Sequence, residues 1–506
     1  MKKFKNFTNK KYDDVYLKLK NISVSKDLYK NQTLLTKIFN NTSSLLKRDL
    51  TLGVNSIKIT LFYLDGIVDD NLLTQYIIKP IMNFSESPLN NKTLDINYIQ
   101  DKIIPYCNIK ASKTYDELVY EIICGCTIVF IEDNIDAFMI KTSGIKSRDI
   151  EKPDTEQTIS GGKQAFVENL KTNISLLRNM IRTPNLEVKH LNIGVRTKSS
   201  VSLIYLNDII NDNLANEILK RLTSINIDGV VDSSQIQALI QDHKWTIFPQ
   251  ILTTERVDRT ISEILKGRAV IILEGSPFAL ILPTTLSSFL SSQDDIYGRS
   301  IITSILKIIR YIGFFEACSI SALYLALTTY HPGLIPTSLA LSITGTRVGL
   351  PFPVALEIIL MEITLYLVQE ATLRLPKSVG NTVGIVGGLV IGQSVVLAGI
   401  VSPIIVVIVS MSAISSFTLP NYNLALSTIA IRLFLIFCSM SLGLYGFVIG
   451  CILILAHLAS LESFGVKYLA DYSPYTQNTL KETLFNTPLS TIHERPDYLN
   501  TKDKTK

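Results

Sequence analysis

Hydrophobic and polar positions along this chain fall into distinct regimes. Up to about residue 45 no sustained period appears, and "MKKFKNFTNKKYDD" is basic without the apolar run of a signal peptide, so the N-terminal region is expected to stay in the cytoplasm. From 46 to 300, short β-branched and aromatic runs alternate with amphipathic stretches, the pattern of strands interleaved with helices. Between Tyr311 and Leu458 only eight charged residues interrupt an apolar sequence: Glu316, Arg347, Glu357, Glu362, Glu370, Arg374, Lys377 and Arg432. The expected order is a basic polar tail (1–45), a soluble α/β subdomain (46–150), and a linker helix with a second soluble α/β subdomain (151–300). A transmembrane helical domain (301–460) and a polar C-terminal tail (461–506) follow.

The soluble part contains a duplication. "LFYLDGIVDDNL" (61–72) and "LIYLNDIINDNL" (203–214) are identical at seven of twelve positions. "EIICGCTIVFIEDNIDAFMIKT" (121–142) and "EILKGRAVIILEGSPFALILPT" (263–284) align at the same offset of 142. One offset across two separated blocks predicts two copies of one unit. In each, a strand leads to a helix opened by a polar cluster (Asp69–Asn71, Asn211–Asn213) able to cap its first turn. A later helix stops at Gly125 or Gly267, and a hairpin turns at "EDN" or "EGSP". Between the copies, Phe166, Leu170, Ile174 and Leu177 are spaced as on a helix.

In the apolar region, spans are expected at Ile312–Tyr330, Thr382–Val401, Pro403–Leu419 and within Leu424–Ala459, the last long enough for one tilted span or two short ones. Four are expected and up to six fit. Lys307 and Arg310 before the first suit a cytoplasmic entry. The proline- and glycine-rich 331–353 predicts a short or re-entrant helix, because interior proline breaks a straight span. Gly380, Gly384, Gly388 and Gly392 form a stripe at every fourth residue, and Gly446 and Gly450 a second small-residue pair. Such spacing lets helix backbones approach closely, within one subunit or between subunits. Gln393 stands beside the first stripe as a strongly polar group.

Val354–Leu375 is the ambiguous segment. Its eleven Leu, Ile and Val residues contribute roughly −3 to −7 kcal/mol to insertion, while each central charge costs roughly 2.5 to 3.5 kcal/mol. Glu362, Tyr366, Gln369, Glu370 and Arg374 share an arc of about 140°. Glu357 lies nearly opposite Tyr366, near the helix start, where a carboxylate suits the helix dipole. Such a helix crosses only if its polar stripe meets protein or water. Glu362 and Glu370 are the foremost candidates to line a cation path, with Glu357, Glu316 and Gln393 behind them. Alternatively the carboxylates pair with Arg347, Arg374 or Arg432.

Composition narrows the chemistry. The formal charge of +5 is small for 506 residues, and no basic stripe suited to nucleic acid is found. The six cysteines, Cys107, Cys124, Cys126, Cys318, Cys438 and Cys451, form no C-x-x-C pair and read as structural thiols. "SGGK" (160–163) has Gln157 and Gln164 where a phosphate loop needs glycine and Ser or Thr. No catalytic, metal or cofactor fingerprint is found, so an enzyme is not expected.

"EGSPFALILP", "HPGLIPTSLALSITGTRVGLPFPVALEIILMEI", "LRLP", "VGIVGGLVIGQSVVLAGIVSP", "SFTLPNYNLAL" and "HLASLESFGVKYLADYSP" closely resemble the A subunits of GerA-type spore germination receptors. The resemblance runs from about Leu52 to Tyr475 and is dense from Arg256 onward. It implies a multi-pass protein of the spore inner membrane acting with a transporter-like B subunit and a lipoprotein C subunit. It also implies an oligomeric cation-conducting channel that opens when nutrient is sensed. The related SpoVAF type shares the architecture, and a secondary transporter or a non-conducting scaffold are the other readings.

Overall fold

The computed structural model describes residues 19–40, 44–52, 57–84, 103–104, 109–144, 155–376, 392–473, 483–488 and 494–505, with 42, 153 and 491 besides. Strands β1 (Leu45–Leu52), β2 (Ile57–Leu64), β3 (Ile109–Ser112), β4 (Cys126–Ile131) and β5 (Ala137–Lys141) form one sheet in the order β1-β2-β4-β5-β3. Strands β6 (Leu186–Ile193), β7 (Ser199–Leu206), β8 (Leu252–Thr254), β9 (Ala269–Leu273) and β10 (Ala279–Leu282) form another in the equivalent order β6-β7-β9-β10-β8. Every pairing is antiparallel. The two subdomains thus share one sheet topology.

Local chemistry explains the common design. Asp69 accepts from the Asn71 and Leu72 amides, and Asn211 from the Asn213 amide, each capping the helix that follows. Helices α1 (Tyr115–Ile123) and α3 (Val257–Leu265) end in the same way. Gly125 and Gly267 take φ of +89° and +98°, the left-handed turn that glycine adopts without strain. Between the subdomains lies α2 (Leu170–Met180), capped by Asn169. Leu170, Ile174 and Leu177 are buried on it, whereas Phe166 precedes the helix and is buried in an extended segment bonded to Glu255.

Two segments read as tails contain described stretches that pack on the soluble subdomains. Within 1–45, Leu28–Ile38 is a helix whose Leu35 packs on subdomain 1 with Phe39, and Asn31 accepts from the Tyr115 hydroxyl at 2.9 Å. Apolar residues four apart gave this stretch a buried face despite its polar composition. Beyond 460, Ser463, Phe464 and Tyr468 bond to Gln250, Asp242 and Pro249 of subdomain 2. Further on, Arg495 Nε donates to the Leu265 carbonyl at 2.9 Å, and Lys502 Nζ meets Asp212 at 2.6 Å. An ideal Cβ on Gly267 would lie 2.5 Å from the Thr501 methyl, so glycine also makes room for this strap.

The helical part comprises α4 (Ser300–Tyr330), α5 (Thr337–Thr346), α6 (Val354–Arg374), α7 (Gly392–Leu397), α8 (Pro403–Phe417) and α9 (Tyr422–Ser460). Among the described residues, α4 and α9 are long and apolar enough to cross a membrane, and α8 is a shorter apolar helix. α4 begins twelve residues before the expected span. Arg310 explains part of this extension, holding Asp295 of subdomain 2 through two contacts of 2.6 and 2.7 Å. The 331–353 segment contains the short α5, as its prolines suggested. The first half of Thr382–Val401 lies outside the described residues.

α9 is a hairpin. Gly443 has φ 63° and ψ −136°, a non-helical break dividing it into two arms. Gly446 and Gly450 on the second arm lie against Cys438 and Leu435 on the first. Fifteen helical residues separate their ends by over 20 Å in a straight helix, so this contact requires reversal. The first arm begins beside subdomain 2, where Ser427 Oγ donates to the Ile247 carbonyl at 2.5 Å. The turn lies against Tyr330 at the far end of α4, and the second arm returns to bond His457 with Thr246 at 2.9 Å. One continuous apolar core links Leu177, Val270 and Phe289 of subdomain 2 to Leu325, Ile358, Ile405 and Leu435 of the helices.

Candidate functional site

Arg432, halfway along the first arm of α9, is buried where α4, α6 and α8 meet it. Its Nη1 donates to Glu362 Oε2 at 2.8 Å and its Nε to the Ala317 carbonyl at 2.6 Å. Nη2 reaches the Ser412 carbonyl at 3.5 Å, and the guanidinium carbon lies 6.0 Å from the centre of the Tyr366 ring. Glu362, equally buried, accepts from Ser321 Oγ through its other oxygen at 3.0 Å. A buried carboxylate is tolerated when both a cation and a hydroxyl satisfy it. Four helices each contribute to this arrangement, making it a central lock of the bundle.

Glu357 does more than favour the start of its own helix. It is buried, and Oε2 accepts from the Ser402 amide at 2.9 Å, while Arg347 Nη2 donates to Oε1 at 3.2 Å. Ser402 is the N-cap of α8, so the carboxylate lies at the positive end of a neighbouring helix. The contact ties the α5 end, α6 and α8 together. No signal local to residue 357 announces a partner 45 positions away.

The expected stripe on α6 divides. Glu362 faces inward and Tyr366 is partly buried, but Glu370 is 59% exposed and pairs with Arg374 one turn later, at 2.5 Å. Beside that pair, Ile363 and Leu367 are 52% and 66% exposed. Glu316 on α4 is half-buried and accepts from Ser415 Oγ on α8 at 3.0 Å. Gln393 is exposed on α7, away from these contacts. Gly446 and Gly450 hold the two arms of α9 together within the chain, and Gly392 lies near Val406. Gly380, Gly384 and Gly388 are outside the described residues.

Four serines that the sequence did not single out take part: Ser321 and Ser415 through their hydroxyls, Ser402 through its backbone amide and Ser412 through its carbonyl. Small polar side chains in apolar helices commonly bond across to neighbours, a signal that could have found Ser321 and Ser415 but not the backbone contacts of Ser402 and Ser412. Among the described residues no cluster of His, Cys, Asp and Glu suits a metal ion. A separate cavity of about 620 Å³ lies where subdomain 2, the start of α4 and the C-terminal strap meet. There burial would raise the Glu263 carboxyl, but Lys266 and Arg268 override it and hold it at about 2.

Residues 33–498 match the family described as Bacillus/Clostridium GerA spore germination protein. The chain belongs to the GerA family. It is 36% identical to spore germination protein KA of Bacillus subtilis over 96% of this chain and 89% of that protein. Stage V sporulation protein AF of the same species is 27% identical, over 88% and 90% respectively. A crystal structure of the N-terminal domain of the A subunit of the Bacillus megaterium spore germinant receptor GerK3 aligns with 51% of this chain and 96% of that domain, at 29% identity and a TM-score of 0.41. GerA-family membership and a role in spore germination therefore follow for the chain as a whole, and α4 and α9 are compatible with a membrane location.

Proposed function

We propose that this chain is the A subunit of a nutrient-responsive germination receptor, embedded by several crossings in the spore inner membrane. Its soluble subdomains face the spore core, and copies of the helical domain assemble around a cation-conducting path. B and C subunits are its partners, and no catalytic step belongs to it. The greater identity to germination protein KA than to stage V sporulation protein AF supports the receptor branch. Contacts of residues 461–505 with subdomain 2 favour an even number of crossings, since both ends of the helical region meet the same soluble body.

The observation that carries the channel reading is the Glu370–Arg374 pair, exposed amid Ile363 and Leu367 on α6. Charges facing hydrocarbon are costly, so a surface of this kind suits water or a neighbouring subunit. Acidic side chains repeated around an oligomer would attract cations. Glu362, locked by Arg432, stabilises the bundle in this reading instead of meeting ions. The test is cation flux through the purified chain in liposomes, comparing Glu370→Gln with the unaltered protein. Reduced flux or altered selectivity is expected. Absence of flux from any oligomer would sink the channel, and unchanged flux would remove Glu370 from the path.

A further inference from the structure

The sole tryptophan of the chain, Trp245, is 99% exposed, in the loop between the Ser233–Ile240 helix and β8. His243, Lys244 and Ile247 around it are exposed as well. This loop is bound to both arms of α9. Thr246 meets His457 at 2.9 Å on the second arm, and the Ile247 carbonyl accepts from Ser427 on the first. Phe248 packs beside the His457 ring, with centroids 6.1 Å apart, which fixes the loop against the helix end.

We propose that residues 243–247 are a membrane-interface anchor, with Trp245 seated among lipid headgroups and Lys244 directed toward anionic phosphates. The proposal rests on the reading of the helical domain as membrane-embedded, and adds to it a lipid contact made by the soluble subdomain. Three features favour a lipid surface as the occupant. Ile452, Leu453 and Leu455, within about two turns of His457, are exposed and continue the apolar surface up to the loop. Phe417 and Tyr422, at the end of the bundle that meets subdomain 2, are exposed aromatic side chains as well. Tryptophan and tyrosine favour the membrane interface because their rings meet acyl chains while their polar atoms stay hydrated, and lysine bends its stem toward headgroups.

Because no other tryptophan is present, intrinsic emission reports this loop directly. The full chain would be reconstituted in phosphatidylglycerol-containing vesicles, floated on a density gradient, and its emission followed with two quenchers. Phospholipids brominated near the headgroup are expected to quench Trp245 strongly, and more than those brominated near the chain end. Aqueous iodide is expected to quench it several-fold less than in the urea-unfolded chain. A chain that floats but shows full iodide quenching and no bromine effect would overturn the anchor while leaving the membrane reading intact. Protection from both quenchers would also overturn it, indicating a second copy over the loop. Failure to float would instead overturn the membrane reading beneath it.

Discussion

Arg432 shows how one side chain organises a helical bundle. It satisfies Glu362 and two backbone carbonyls at once, so losing it leaves a buried carboxylate without its cation. Removing one member of such a pair typically costs about 3 to 5 kcal/mol, whereas replacing both with apolar residues of similar volume is often neutral. Arg432→Met and Glu362→Met are each expected to lower thermal stability in detergent by that order. The double variant should recover much of the loss. A loss in the double variant equal to the sum of the two single losses would show that the residues act independently. The helix stripe made Glu362 conspicuous in the sequence, but Arg432 stands 70 positions away, and only the fold brings it to the carboxylate.

At the scale of elements, legibility followed the range of the forces involved. Caps at Asp69 and Asn211, helix stops at Gly125 and Gly267, and the shared strand pattern depend on neighbouring residues, and all could be read directly. The reversal at Gly443 could not. Apolar residues continue through it, leaving hydropathy unable to distinguish a long helix from a hairpin. Its backbone conformation is one that side chains rarely adopt, and an ideal Cβ would lie 2.7 Å from Tyr330. Gly443→Ala is therefore expected to destabilise the protein by about 1 to 3 kcal/mol. Gly333→Ala, with open space around it, should have little effect. Equal melting temperatures for these two variants in detergent would argue against the hairpin.

Across the whole molecule, the second subdomain is joined to the helices by a common apolar core and by ionic contacts at the start of α4. Polar composition alone suggested a C-terminal tail, because the partners that order it are distant in sequence. One of those contacts lies beside Glu263, whose folded carboxyl is held at about 2 against an ordinary 4.5. Its contribution to stability is complete above about 4.5 and disappears as pH falls toward 2. Acid unfolding of the full chain should therefore be less steep across that window in Glu263→Gln. An unchanged profile would separate this cluster from the acid sensitivity of the fold.

The C-terminal strap also has a consequence in time. Arg495, Tyr498 and Lys502 complete contacts with Leu265, Arg268 and Asp212, residues made more than two hundred positions earlier. Residues 495–502 must therefore emerge from the ribosome before the second subdomain reaches its finished form. Its closure awaits the whole intervening helical region, and a chain stopped short of residue 495 leaves that subdomain without its final layer.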